Sequence, residues 1–258
     1  MKIAACILAF ILTVPSHGQQ ITIAAAADLR SALDEITSRF QAETRMHAKV
    51  VYGSSGNLFQ QIQNGAPFDL FFSANSDYPK KLEAAGLSVP GTYYEYALGH
   101  IVLLSSASSA WDLQQGLKVL LEPSIRRIAV ADPGHAPYGQ AAVAALKSQG
   151  IYDQVSRKIV MGENVAQAAS FVTSGAADIG IVAKSLAVLP SARAQIRFVE
   201  IPANQYPPIQ QACVVLKSST KQEAARRFLI YIQGPEASKI LQQYGFEVPS
   251  AKTAQPLQ

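Results

Sequence analysis

Short apolar runs alternate with stretches of helical period along most of the chain. The apolar runs are ITIAAAA (21–27), AKVVYG (48–53), DLFFSA (69–74), YALGHIVLLSS (96–106), RRIAVA (126–131), KIVMG (158–162), ADIGIVA (177–183), IRFVEI (196–201) and IQQACVVLKS (209–218). Their length and β-branched content predict strands. Between them, Leu29, Leu33, Ile36 and Phe40 fall on one face of a first helix, and Leu58 and Ile62 on one face of a second. Further helices are expected over 138–149, 164–174, 221–233 and 236–244, with Gly234-Pro235 and Gly245 as stop signals. Strands alternating with helices imply an α/β fold of mostly parallel sheets flanked by helices.

Two runs suggest a division into lobes. YALGHIVLLSS lies in mid-chain, and YPPIQQACVVLKSS, near the end, also starts with Tyr and leads into a strand. If the chain crosses between two α/β lobes at the first and returns at the second, lobe I is 19–97 plus 205–250, and lobe II is 98–204. The tail 251–258 is expected to fray. The chain has 258 residues, 49% hydrophobic and 16% charged, enough for a sizeable core. The first eighteen, MKIAACILAFILTVPSHG, read as a secretory leader. Lys2 is the charged start, the apolar run 3–14 is too short to span a bilayer, and Ser16 and Gly18 place cleavage before Gln19. The mature protein is therefore expected in the periplasm. Its formal charge falls from +4 to +3 when Lys2 leaves, and no basic run exceeds a pair, which argues against nucleic acid. Cys213 is then the only cysteine, and its apolar flanks point to a small buried hydrophobe.

Candidate chemistry lies where strands turn into helices, because ligands of open α/β sheets sit outside the carboxyl ends of strands. Four such turns are AAAADLRSAL with Ala27 and Asp28, YGSSGNL with Ser54 and Ser55, ADPGHAPYGQAA with Pro137 and Tyr138, and VMGENVAQAA with Asn164 and Val165. Each helix start leaves unpaired N–H donors and a partial positive charge. Two turns come from each lobe, so together they would make an anion cage of backbone donors. The second turn carries no Lys or Arg, unlike a phosphate loop of the Walker type. Each turn also has a plain structural reading, and Asp28 is expected first as an N-cap that accepts from the N–H of Arg30 or Ser31. Signs of an enzyme are scarce. No HExxH, CxxC, GxSxG or dinucleotide fingerprint is present, and His135 near Asp132 reads as a loop residue.

The segments AAAADLRSALDEI, GSSGNLFQQIQNGAPFDLFFSA, ADPGHAPYGQAA, ENVAQAASFVTSGAADIGIVA and IYIQGPEASKILQQYGF resemble the periplasmic molybdate-binding proteins of ABC transporters, over about 21–246. The resemblance implies the two-lobed type II periplasmic-binding-protein fold, with ligand in the inter-lobe cleft. It implies a molybdate or tungstate oxyanion held by neutral hydrogen bonds, no metal site, no cofactor and no catalytic residue. It also implies a monomer that works with the membrane permease of an ABC transporter. By position, Ser55 gives its hydroxyl and N–H, Tyr138 and Val165 give backbone N–H groups, and Ala27 and Asp28 form the first turn. Family members commonly have a Ser or Thr hydroxyl in that first turn, and some use a Tyr at the position of Ala183; both hydroxyls are missing here. Two rivals stay open. One is a binder of phosphate or sulfate on the same fold, of which phosphate gains if Asp28 points into the cleft. A secreted hydrolase using Ser54 or Ser55 lacks an identifiable base. An amino-acid binder would want an Arg in the turns.

Overall fold

The computed structural model describes residues 20–189 and 194–249; the leader expected at 1–18 and the tail expected at 251–258 lie outside these. Among the described residues, ten strands form two five-stranded sheets. The first holds β1 (Gln20–Ala26), β2 (His47–Gly53), β3 (Leu70–Ser73), β4 (Tyr94–Gly99) and β10 (Ile209–Val215) in the order β2-β1-β3-β10-β4. The second holds β5 (Ile101–Ser106), β6 (Ile128–Ala131), β7 (Ile159–Gly162), β8 (Ile179–Ala183) and β9 (Ile196–Glu200) in the order β7-β6-β8-β5-β9.

Both sheets are mixed. β1 pairs in parallel with β2 and β3, while β10 is antiparallel to β3 and β4. In the second sheet β6 is parallel to β7 and β8, while β5 is antiparallel to β8 and β9. All strands but β10 and β5 therefore point the same way within their sheet. Those two are the strands by which the chain arrives from the other sheet, so they start at the cleft and run away from it. The run 96–106, expected as one strand, is two: β4 and β5 belong to different sheets and part at His100. Apolarity did not mark the break because residues on both sides of it, Ala97, Ile101 and Val102, are buried.

The period-2 pattern sorts side chains onto the two faces of the first sheet. Phe72, Cys213 and Val215 face one core with α1 (Arg30–Thr44), α8 (Gln222–Gln233) and α9 (Pro235–Gln243). Phe71, Val214 and Leu216 face another with α2 (Ser55–Gln63) and α3 (Asp77–Ala84). Phe228 of α8 packs edge-on to Phe40 of α1 at 5.0 Å and to Phe72 at 6.1 Å. Each such fully buried side chain contributes about 1.5–3 kcal/mol. Cys213 is fully buried, and burial pushes its thiol well above the usual range. The second sheet is covered by α4 (Pro137–Ser148), α5 (Tyr152–Val155), α6 (Val165–Thr173) and α7 (Lys184–Ala187). Its core also takes in Ala26 and Ala74 from the first lobe, so the two lobes are closed on each other. The short helices α3, α5 and α7, and a kinked 3-10 stretch at Leu113–Leu121, were not expected from the periodicity.

Candidate functional site

The carboxyl ends of β1, β2, β6 and β7 each lead into a helix, and these four turns meet at one small cavity. It is lined by Ala27, Asp28, Ser54 and Ser55 from one lobe, with Ala74 beside them, and by Pro137, Tyr138, Asn164 and Val165 from the other. No Lys, Arg or His is among its lining residues. All five residues singled out in the sequence, Ala27, Asp28, Ser55, Tyr138 and Val165, lie on its wall.

Local chemistry explains the turns. Ser54 is the N-cap of α2 and accepts from the N–H of Asn57 at 3.4 Å. Asn164 caps α6, accepting from the N–H groups of Ala166 at 3.1 Å and Gln167 at 3.0 Å. Pro137 opens α4, where its missing N–H costs nothing. Ser55 is fully buried, and its Oγ accepts from the N–H of Ala74 at 2.9 Å. With that lone pair occupied, its own proton is left to donate. Gly56 is required by a close approach: its N–H donates to the carbonyl of His135 in the other lobe at 2.9 Å. A Cβ there would lie 2.7 Å from that oxygen.

Asp28 is not a cap, which corrects the expectation from sequence. A 3-10 turn, Ala27–Leu29, separates β1 from α1, and the N–H of Arg30 donates to the carbonyl of Ala27. The group that the cap was to serve is therefore already satisfied, and α1 has no side-chain cap. The Asp28 carboxyl is instead buried between the lobes. Its Oδ2 accepts from Gln211 Nε2 at 2.7 Å and from the Tyr138 hydroxyl at 2.9 Å. Its Oδ1 is buried with no hydrogen-bond partner. Ser185 Oγ donates to the Asp28 carbonyl at 2.8 Å. Burial pushes the carboxyl up to about 6 from an ordinary 3.8, against the opposing pull of the Gln211 and Tyr138 hydrogen bonds. The hydroxyls of Tyr138 and Tyr96 are held well above their usual range, first by burial and then by the nearby Asp28 charge.

Gln211, Tyr96 and Ser185 were missed in the sequence. The Tyr96 hydroxyl donates to Gln211 Oε1 at 2.8 Å, which turns the amide nitrogen toward Asp28. A signal for Gln211 did exist: two adjacent glutamines open an apolar strand, and strand period forces one of them inward. Gln210 is exposed and Gln211 is fully buried. The Tyr138 ring reaches the crossover, where a Cβ on Gly99 would lie 2.2 Å from its hydroxyl. Ala183, where the resemblance leads one to look for a Tyr hydroxyl, is fully buried at the end of β8. Asp132 Oδ1 accepts from the N–H of Gly134 at 2.9 Å and so shapes the loop that carries His135. No histidine side chain is hydrogen-bonded to Ser54 or Ser55 among the described residues.

Two α/β lobes, linked by two crossovers and closed on a cavity walled by helix starts, define a protein that encloses a small solute. The chain belongs to the bacterial extracellular solute-binding proteins, whose family model matches residues 21–247. Within that family it is a homologue of the proteins called ModA and a transport component, not an enzyme. The molybdate-binding protein ModA of Rhodobacter capsulatus is 33% identical over 235 residues, 91% of each chain. That of Azotobacter vinelandii is 33% identical over 236 residues, 92% of this chain and 93% of its own. The solved structure of the Azotobacter vinelandii periplasmic molybdate-binding protein matches with a TM-score of 0.84 and 35% identity, over 89% of this chain and 100% of that one.

Proposed function

We propose that this protein captures molybdate, and with it tungstate, outside the cytoplasm and delivers it as a monomer to the membrane permease of an ABC transporter. The observation that carries this reading is the cavity itself: four helix starts from two lobes converge on it, with no cationic side chain in its wall. Such a cage suits a small dianion, which fixed N–H dipoles can hold without a counter-charge. The donors are the backbone N–H groups at Ala27, Asp28, Ser55, Tyr138 and Val165, and the Ser55 hydroxyl. The missing first-turn hydroxyl and the alanine at 183 leave the cage more dependent on backbone donors than the resemblance implies. The cleavage expected before Gln19 would release the mature chain into the periplasm.

A second reading, capture of phosphate, is favoured by one feature. The Asp28 carboxyl is buried where the lobes meet and its Oδ1 has no partner, so it could accept from a protonated phosphate oxygen. Calorimetry of the mature protein against molybdate, tungstate, sulfate and phosphate decides between them. Molybdate and tungstate binding well ahead of the other two is the expected result; preference for phosphate overturns the assignment.

A further inference from the structure

We propose that oxyanion capture by this cleft takes up one proton from solvent, which comes to rest on Oδ1 of Asp28. The inference rests on the oxyanion reading above and adds a proton to it. Three facts of geometry converge. Asp28 forms part of the cavity wall, so an anion there lies against the turn that carries this carboxyl. Both side-chain donors that reach the carboxyl, Gln211 Nε2 and the Tyr138 hydroxyl, go to Oδ2, and the backbone N–H groups of Asp28 and Leu29 add a weaker pull toward the charged form. Oδ1 is buried and has no partner.

Among the described residues no cation balances the group. Among the elements packed on this turn, α6 carries no charged residue, and the nearest cation of α1, Arg30, lies over the Tyr52 ring at 4.4 Å. Lys184, at the start of α7, pairs with Glu200. The titratable groups that face Asp28 are the Tyr138 and Tyr96 hydroxyls, with Cys213 behind Tyr96, all neutral at ordinary pH. An arriving dianion therefore meets an uncompensated carboxylate in a water-poor site. Neutralising the carboxylate removes that repulsion, and the new Oδ1–H becomes a donor where the first turn lacks a hydroxyl. The free carboxyl is already pushed up to about 6, and the arriving dianion raises it further, so that it holds its proton through neutrality. Asp28→Asn mimics the protonated state: its amide oxygen takes the place of Oδ2 and its NH2 the place of Oδ1–H.

The test is calorimetry with molybdate, tungstate and sulfate at pH 7 and 8, in two buffers of different ionisation enthalpy. Close to one proton taken up per anion bound is expected, with affinity falling about tenfold per pH unit. In Asp28→Asn the uptake should vanish, the pH profile should flatten, and binding at pH 8 should strengthen by up to about a hundredfold. Carboxyl-carbon NMR of the wild-type protein gives a readout that needs no variant: the Asp28 midpoint should move to about 9 or above when the site is saturated. Molybdate binding without uptake, or uptake that persists in Asp28→Asn, overturns this inference and leaves the ligand assignment standing. Uptake on binding sulfate but not molybdate does the reverse. No binding of any of these anions overturns both.

Discussion

Replacing Ser55 by alanine tests the cage at the one hydroxyl assigned to the anion. The perturbation is small in volume but removes two hydrogen bonds of different consequence. The first is the bond that the hydroxyl would donate to the bound anion. A hydrogen bond to a charged partner is worth about 1.5–3 kcal/mol, a roughly ten- to hundred-fold loss of affinity. The second holds in the empty protein, where Ser55 Oγ accepts from the N–H of Ala74 at 2.9 Å. That buried N–H would lose its acceptor at a cost of about 1–3 kcal/mol. The two effects separate in a thermal melt. With molybdate at about a thousand times the wild-type Kd, ligand stabilises the wild-type protein by about 4.1 kcal/mol. A roughly thirty-fold weaker variant would keep only about 2 kcal/mol of that. At about 2–4 °C per kcal/mol for a chain of this size, the ligand-induced rise in Tm should be roughly halved. The ligand-free Tm should also fall. Calorimetry then gives the affinity directly. Wild-type affinity in Ser55→Ala would show that the anion is held elsewhere, whatever happens to the ligand-free Tm.

Four further outcomes are expected. Gly56→Ala places a Cβ 2.7 Å from the His135 carbonyl across the cleft, so it should hold the lobes apart while leaving each folded; small-angle scattering should show no compaction on adding molybdate, and normal compaction would refute the close approach. Asp28 makes stability depend on pH with a definite sign. Its folded pKa of about 6 lies above the ordinary 3.8, so the native state binds the extra proton between these values, and stability should fall as pH rises through that window. The loss, roughly 2 kcal/mol between pH 4 and 7 relative to Asp28→Asn, is readable by urea titration of the ligand-free protein at those two pH values, and an unchanged difference would place the carboxyl in water. Molybdate affinity should change by less than about threefold between 0.05 and 0.5 M NaCl, because no exposed cation is there to be screened, and sulfate should bind far more weakly because fixed N–H groups do not follow a smaller tetrahedron inward; a steep salt dependence would point to a Lys or Arg in the site.

What the sequence determined by itself is whatever depends on neighbours within a few residues. The strand–helix order, the opposite faces of Phe71 and Phe72, the caps Ser54 and Asn164 and the helix start at Pro137 all follow from period and local hydrogen bonding. So does the position of the four turns, because a strand followed by a helix of the same sheet always leaves its turn at the carboxyl end. Tertiary structure decided the rest. The cap expected at Asp28 gave way to a 3-10 turn whose own carbonyl took the Arg30 N–H. The carboxyl was then free to meet Tyr138, 110 residues away, and Gln211, 183 residues away, while Ser185 reached its carbonyl across 157. The break at His100 was hidden because both halves of the run are equally apolar. Only closure of the lobes shows why Gly56 is glycine, since the atom it must clear belongs to His135 in the other lobe. Local pattern carries no term for such pairs: their partners are brought together by the packing of two sheets, not by their spacing along the chain.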